Sequence, residues 1–156
     1  IRIISKVGKL ANAADRDHCI QYMVAVGLIF GDLIAEYYED DFHQENQLID
    51  KLRDKMIIEE DNQFSMDYLD PEKRSIANAV QVFFNDGTCS DDIQIEYPIG
   101  HKKRREEGIP LLEEKFWNNL NTCFDKDKSK LIYDLCLNQE KLEKTKVHEF
   151  MELFVK

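Results

Sequence analysis

The chain has 156 residues, the length of one domain, or of one small domain with part of another. It carries 21 basic and 31 acidic residues, and this net charge of −10 argues against a general nucleic-acid-binding protein, which needs a basic surface. The longest apolar run, Tyr22 to Phe30, falls short of the roughly 20 residues that span a bilayer. The N-terminal residues lack the apolar core of a signal peptide. A hydrophobic content of 43% is too high for a disordered chain.

The cysteines and the absent motifs exclude several classes of enzyme. The chain shows no P-loop, no G-x-G-x-x-G, no G-x-S-x-G and no H-E-x-x-H, which excludes most nucleotide-dependent enzymes and metal hydrolases. No cysteine belongs to a C-x-x-C pair or to a zinc-binding spacing. Scattered cysteines in a chain of this length are typical of reduced thiols in a cytosol-like compartment. The four are Cys19, Cys89, Cys123 and Cys136.

The N-terminal residues predict a strand followed by a long helix. The apolar opening Ile1–Ile4 predicts a strand, and because the chain begins with Ile rather than Met, we expect a C-terminal fragment of a longer protein. Asn12 can cap a helix that we expect from about Ala13 to Leu33, buried in its apolar middle. Gly27 and Gly31 lie four residues apart on one face of this helix. Since glycine costs helix stability, they predict the close approach of another element.

The middle of the chain predicts a hairpin. A second helix is expected over residues 45–55, then a short strand at residues 56–58 and a turn at Asp70-Pro71. Apolar residues alternate from Ile76 to Phe84 and again from Ile93 to Tyr97. Because Asn, Asp and Gly occupy residues 85–87 between the two runs, we expect an antiparallel hairpin there.

The charge pattern changes near Gly100. Residues 1–100 hold 9 basic and 20 acidic residues, whereas residues 101–156 hold 12 basic and 11 acidic. After this point the apolar spacing predicts helices over residues 109–123, 131–136 and 147–154, with Pro110 at the start of the first and Thr145 capping the last. We therefore predict an α+β fold, with an α+β part at residues 1–99 and a helical segment at residues 100–156.

Arg16, His18 and Tyr22 form the first candidate site. On one continuous helix His18 and Tyr22, four residues apart, would share a face. A histidine exchanges protons near neutral pH, a tyrosine can protonate a leaving oxygen, and an arginine can hold a carboxylate in fork geometry. The structural alternative, commoner for such residues, is that Arg16 pairs with a neighbouring aspartate while His18 and Tyr22 pack with satisfied hydrogen bonds.

The basic run from His101 to Arg105 is the second candidate site. In an acidic chain, this cluster would attract an anion such as a polycarboxylate or a phosphate. The alternative is a solvated hinge whose charges are balanced by nearby glutamates. Nucleic-acid binding is disfavoured, because the run has no interleaved aromatic residues.

Three segments together resemble the MmgE/PrpD superfamily: Asn12–Val26, Asp70–Ala79 and Glu96–Leu112. They match in order over essentially the whole chain, which resembles the C-terminal third of such a protein. The resemblance implies a large helical domain with a smaller α+β lid. Residues 1–99 would then be most of the lid, and residues 100–156 would complete the helical domain.

The resemblance also implies a carbon–oxygen lyase. The expected reaction is dehydration of the tricarboxylate 2-methylcitrate to 2-methylaconitate in propionate breakdown, with no cofactor, no metal and no iron–sulfur cluster. A sibling lyase acting on aconitate or citrate and a non-catalytic remnant that binds an anion or a partner are the alternatives. Expected partners are the N-terminal helical domain and, in the full-length protein, a second copy, without nucleic acid or membrane. The expected compartment is the cytoplasm, or alternatively the mitochondrial matrix.

The active site of the superfamily lies between the lid and the helical domain. Tyr22 matches a lid tyrosine that faces this cleft in a related decarboxylase, which implies a proton donor or substrate contact. The resemblance adds His18 as an acid–base helper and Arg16 as a carboxylate clamp. His101 with Lys102 would contact substrate at the lid hinge.

Overall fold

A computed structural model describes residues 4–155, which divide between residues 66 and 67 into two compact units. Apart from Ile4, which lies in a turn, the predicted strand Ile1–Ile4 is outside the described residues. The predicted boundary at Gly100 concerns the architecture of a longer protein and stays a prediction. No helix in the described part of the chain combines the length and apolar character needed to cross a membrane.

Unit 1, the part up to residue 66, is helical. Its elements are α1 (Ala13–Asp17), α2 (Ile20–Phe30), a 3₁₀ turn (Ala35–Tyr38), α3 (Asp40–Glu45) and α4 (Leu48–Arg53); α5 (Asn62–Leu69) crosses the division. Helix α2 packs on α4 because its middle is apolar on every side. The buried core consists of Leu10, Cys19, Tyr22, Ala25, Val26 and Ile49.

The prediction of one helix from Ala13 to Leu33 is wrong, because the chain breaks between α1 and α2. His18 ends α1, and Cys19 takes an extended conformation with φ −124° and ψ 105°. The break lets the Ile20 N–H donate to the carbonyl of Ile4 at 2.8 Å, outside the helix. The predicted cap is confirmed, since the Asn12 side chain accepts a hydrogen bond from the Asp15 N–H.

The glycines of α2 do not mark a close approach. Within residues 4–155, a Cβ added at Gly27 or at Gly31 would meet no atom of another element within 4 Å, so that prediction is wrong for the described part of the chain. Gly31 instead ends α2 in the left-handed conformation, with φ 74° and its N–H bonded to the Gly27 carbonyl. Glycine adopts this conformation without steric cost, which explains why the helix stops at Phe30.

The second predicted helix is present but shorter. Residues 45–55 contain α4, which covers only Leu48–Arg53. The strand predicted at residues 56–58 is wrong, since no ladder partner for it occurs in the part of the chain that the structure describes. The turn predicted at Asp70-Pro71 is confirmed, and the Arg74 N–H closes it on the Asp70 carbonyl at 2.8 Å.

Unit 2, from residue 67 onward, begins with the predicted hairpin. Strands β1 (Asn78–Val80) and β2 (Ile93–Ile95) pair antiparallel, and an isolated bridge joins Phe83 to Cys89. The turn contains Gly87 at φ 86°. The α+β fold class is confirmed, although the ladder is shorter than the alternating pattern.

Helices α6 (Arg105–Cys123), α7 (Lys126–Cys136), α8 (Gln139–Lys144) and α9 (Val147–Glu152) follow. Pro110 lies inside α6 rather than at its start, because a 3₁₀ turn at Lys102–Arg104 already leads the chain into the helix. The cap of α9 is Lys146 and not Thr145, and the sequence pattern did not predict α8.

Unit 2 leaves much of its apolar surface exposed. Among its described residues, the buried hydrophobic side chains are Leu120 and Ile132. Large side chains of α6, α7 and α9 are exposed: Ile109, Leu111, Leu112, Leu131, Val147 and Met151. The four cysteines are free, as predicted.

Candidate active site

Tyr22 is fully buried in the centre of unit 1. Its hydroxyl donates to the Tyr37 carbonyl at 2.6 Å, and its ring stacks with Tyr38 and meets the edge of His43, at centroid distances of 6.0 and 5.6 Å. Burial raises the pKa of Tyr22 to about 12, because the phenolate would lose its hydration, while the nearby Arg16 charge lowers this pKa. The phenol is therefore protonated throughout the neutral range.

Arg16 is buried beside Tyr22, with 1% of its surface exposed. Its Nε donates to the Tyr38 carbonyl at 2.7 Å, its Nη2 pairs with the Asp40 carboxylate, and its Nη1 lies 3.5 Å from His43 Nδ1. The predicted carboxylate clamp therefore already holds one carboxylate, that of Asp40, on the exposed side of the unit. An arginine with this set of neighbours is held in one orientation.

His43 and Asp50 extend this network, and the sequence pattern did not identify them. The Nε2 of His43 lies 2.9 Å from an Asp50 carboxylate oxygen, and Asp50 also pairs with Arg53. Arg53 donates to the carbonyls of Lys6 and Gly8 at 3.3 and 3.1 Å. The spacing of Asp50 and Arg53, three residues apart on α4, was the one sequence signal that could have predicted their ion pair. The contact of His43 with Asp50 depends on how α3 packs beside α4 and left no signal in the sequence.

His18 lies apart from these buried groups. Its side chain is 63% exposed, and its Nδ1 lies 2.5 Å from the Asp17 carboxylate. α1 ends before His18 and α2 begins after it. The prediction that His18 and Tyr22 share a helix face is therefore wrong. The structure thus brings Arg16 and Tyr22 together in unit 1 and leaves His18 at the surface.

The basic run belongs to unit 2 and folds back on Tyr97. The Lys103 ammonium donates to the Tyr97 hydroxyl at 2.8 Å, and Arg104 donates to the Tyr97 carbonyl at 2.8 Å. The His101 ring lies 4.6 Å from that of Tyr97, and its Nδ1 accepts from the Lys103 N–H. Arg104 also holds the Glu107 carboxylate in a fork, which keeps the pKa of Glu107 below its usual range.

Two cations of this run differ from their neighbours. Lys102 and Arg105 are exposed, and neither has a hydrogen-bond or ion-pair partner among residues 4–155. A shallow depression of about 390 Å³ is lined by residues 102–107. Two unpaired cations at its rim suit a carboxylate ligand.

A close backbone contact fixes the start of α6 behind the basic run. Gly108 is buried, and a Cβ at this position would lie 2.2 Å from the Ile99 carbonyl oxygen. Such a distance is a severe overlap, so only glycine fits here without a backbone shift. Among the described residues, no group of three or more His, Cys, Asp or Glu side chains is placed to hold a metal ion.

Comparisons with known proteins cover nearly all of this chain. The family model of the MmgE/PrpD C-terminal domain matches residues 1–139. The 2-methylcitrate dehydratase of Salmonella typhimurium is 50% identical over 99% of this chain, which covers 32% of that protein. The mitochondrial 2-methylcitrate dehydratase of Yarrowia lipolytica is 46% identical over 100% of this chain, and 29% of that protein is covered.

A more distant relative bears a broader name. The alkylcitrate dehydratase phiI of a fungal species is 42% identical over 99% of this chain, which covers 30% of it. The chain therefore spans about a third of the length of the curated relatives that it matches.

Proposed function

This chain belongs to the MmgE/PrpD family, and from that premise we propose that it is the C-terminal part of an enzyme that dehydrates 2-methylcitrate to 2-methylaconitate. The observation that carries the proposal is the 50% identity, over 99% of the chain, to a 2-methylcitrate dehydratase. Dehydration of citrates with other alkyl groups is the second candidate, since an alkylcitrate dehydratase is 42% identical.

The proposed reaction is an elimination. A base takes a proton from the carbon next to a carboxylate, and the electron pair of that bond forms the new double bond. The carbon–oxygen bond breaks, and an acid protonates the hydroxyl, which leaves as water. Cations that hold the carboxylates offset the negative charge that builds up on them. We assign the base to the part of the protein outside these 156 residues.

Tyr22 is the proposed acid. Its pKa of about 12 means that the phenol carries its proton at neutral pH. Arg16 supplies a fixed positive charge beside it, and its Nε and the Tyr22 hydroxyl both donate to carbonyls of the same 3₁₀ turn. His18, exposed and held by Asp17, is the proposed acid–base helper.

His101 and Lys102 are the proposed contacts for a second carboxylate. Lys102 is exposed and has no partner in the described range 4–155, which leaves its charge available. The His101 imidazole is held against Tyr97 at a centroid distance of 4.6 Å. A tricarboxylate carries the negative groups that this run would engage.

The wider setting completes the proposal. The rest of the protein would be a helical domain that covers the exposed apolar side chains of α6, α7 and α9, with residues 1–99 acting as the lid. The enzyme would work in propionate breakdown, as a homodimer and without a metal. The compartment would be the cytoplasm, or the mitochondrial matrix as the name of the Yarrowia relative suggests.

The test uses the full-length protein treated with a chelator. It is mixed separately with 2-methylcitrate and with citrate, and the ultraviolet absorbance of the new conjugated double bond is followed. We expect a rise with 2-methylcitrate that exceeds the rise with citrate and survives chelation. Tyr22→Phe should lower kcat by roughly 100-fold, since it removes the acid and keeps the ring.

The control variant is Tyr68→Phe, because Tyr68 is 55% exposed and has no proposed role. Its kcat should match that of the unmodified protein. Absence of any absorbance rise would contradict the proposal and favour a sibling lyase or a non-catalytic binding protein. A rise abolished by the chelator would contradict only the proposed independence from metal.

A further inference from the structure

Two proposed substrate contacts are occupied by one short piece of backbone. The Tyr22 hydroxyl donates to the Tyr37 carbonyl at 2.6 Å, and Arg16 Nε donates to the Tyr38 carbonyl at 2.7 Å. These acceptors are consecutive carbonyls of the 3₁₀ turn Ala35–Tyr38. The chain therefore places two of its own oxygens where two donors of the proposed site point.

This turn ends a segment, residues 31–38, that we call the strap. The strap begins at Gly31, in the left-handed conformation, and residues 31–36 are exposed. Few backbone N–H groups of this region are bonded: the Gly31 N–H donates to the Gly27 carbonyl at 2.9 Å. The Tyr37 N–H donates to the Ile34 carbonyl, and the Glu39 N–H to that of Glu36, both at 3.2 Å. A segment with exposed backbone and few internal bonds opens at low free-energy cost.

The main anchor of the strap is the Tyr37 ring. It lies 4.6 Å from the Phe42 ring and 5.3 Å from the Phe30 ring, measured between centroids. Its loss would weaken the strap and leave both carbonyls in the backbone.

Arg16 has partners that do not belong to the strap. Its Nη2 pairs with Asp40, and its Nη1 faces His43, both on α3. His43 is held in turn by Asp50 on α4. Displacement of the strap would therefore free Nε while these neighbours keep the guanidinium in place.

We propose that the Tyr38 carbonyl occupies the place of a substrate carboxylate and the Tyr37 carbonyl that of the leaving hydroxyl, and that the strap swings away about Gly31 when the substrate binds. This inference rests on the proposed function, which makes Tyr22 and Arg16 substrate contacts. A carboxylate accepts stronger hydrogen bonds than a neutral carbonyl, so the exchange of acceptors favours the substrate. Because only open molecules bind, the apparent affinity is the intrinsic affinity multiplied by the fraction of molecules that are open.

This coupling gives an unusual expectation for Tyr37→Ala. Because the variant raises the open fraction, it should tighten substrate binding, whereas loss of a packed ring normally damages a site. In the full-length protein we expect the KM for 2-methylcitrate to fall about fivefold, with kcat nearly unchanged. The matched control is Tyr133→Ala in unit 2, whose ring packs on Phe116 and Trp117 and whose loss should not lower KM.

Hydrogen exchange gives a second readout that needs no variant. In the unmodified full-length protein, citrate as a non-reacting probe, or 2-methylcitrate if citrate reacts, should speed exchange of the Glu39 amide by about tenfold, because its acceptor, the Glu36 carbonyl, moves with the strap. In an active protein, an unchanged or raised KM for Tyr37→Ala would contradict the proposed displacement of the strap. Exchange that a saturating probe leaves unchanged or slows would contradict it as well. A protein inactive toward 2-methylcitrate and alkylcitrates loses the proposed function, and the inference with it.

Discussion

Arg16 in unit 1 and the cations Lys102 and Arg105 in unit 2 lie in opposite environments. In unit 1 Arg16 is 1% exposed and directs its nitrogens at a carbonyl, a carboxylate and an imidazole. In unit 2 Lys102 and Arg105 are exposed and, among the described residues, have no such partner. A buried cation is oriented before any ligand arrives, whereas an exposed one attracts anions from a distance and adapts to them.

Their apolar side chains differ in the same sense. Unit 1 closes its core around Tyr22 and Ile49, both fully buried. Unit 2 buries Leu120 on α6 and Ile132 on α7. It leaves Leu131, also on α7, 57% exposed. The comparison indicates that unit 1 has a closed core, whereas the helices of unit 2 leave apolar side chains that another surface could cover.

The largest expected effect separates the two apolar environments. Ile49→Ala should lower the free energy of unfolding by about 3 kcal/mol, since it removes a fully buried side chain and leaves a cavity. Leu131→Ala should cost less than about 1 kcal/mol in the 156-residue chain, because its side chain already contacts water. Urea denaturation of both variants measures the difference.

The same pair in the full-length protein sharpens the comparison. If the rest of the protein covers α7, the cost of Leu131→Ala should rise to about 2–3 kcal/mol. The isolated chain should also self-associate through this face, which sedimentation measures. An equal cost of Leu131→Ala in both proteins, with a monomeric isolated chain, would show that the exposed face has no partner.

A smaller effect is expected from the two kinds of cation. Arg16→Met should cost about 2 kcal/mol, because the buried Tyr38 carbonyl and His43 lose a donor, while the exposed Asp40 is rehydrated. Lys102→Met should change the free energy of unfolding by no more than about 0.5 kcal/mol. Thermal and urea unfolding of both variants test this, and equal losses would erase the distinction between the two sites.

The smallest effect concerns alkaline pH. Folding raises the pKa of Tyr22 from 10.0 to about 12. The contribution of the protonated phenol to the free energy of unfolding is therefore complete below pH 10 and is lost as the pH rises toward 12. We expect a loss of roughly 1–2 kcal/mol across this window. Tyr22→Phe should flatten that part of the pH profile, and Tyr38, whose pKa burial also raises, accounts for a remaining slope. An identical slope in the variant would mean that Tyr22 does not titrate there.

The sequence predicts the elements whose patterns are local. Alternation of apolar residues located the hairpin, and helical spacing located α6 and α7. The break at Cys19 escaped prediction, because it contains neither glycine nor proline and depends on the distant Ile4 carbonyl. Pro110 gave a wrong helix start, because a local signal was present but a preceding 3₁₀ turn had already started the helix.

Of the buried network in unit 1, the sequence predicted Arg16 and Tyr22 but neither His43 nor Asp50. The apolar residues around Tyr22 in the sequence predicted that it is buried, and Arg16 was expected to pair with a carboxylate. Which carboxylate it meets, and that His43 joins Asp50, follows from the packing of α3 and α4 against α1 and α2. Contacts between residues so far apart in sequence leave no periodic signal.

The glycine contact at the start of α6 has a mechanical consequence. The Ile99 carbonyl oxygen occupies the space that a Cβ on Gly108 would need, and the Arg104 side chain donates to the Tyr97 carbonyl. A substitution at Gly108 would therefore displace the Ile99 carbonyl, and with it the backbone that leads into the basic run. The conformation of the basic run thus depends on a glycine that lies outside it.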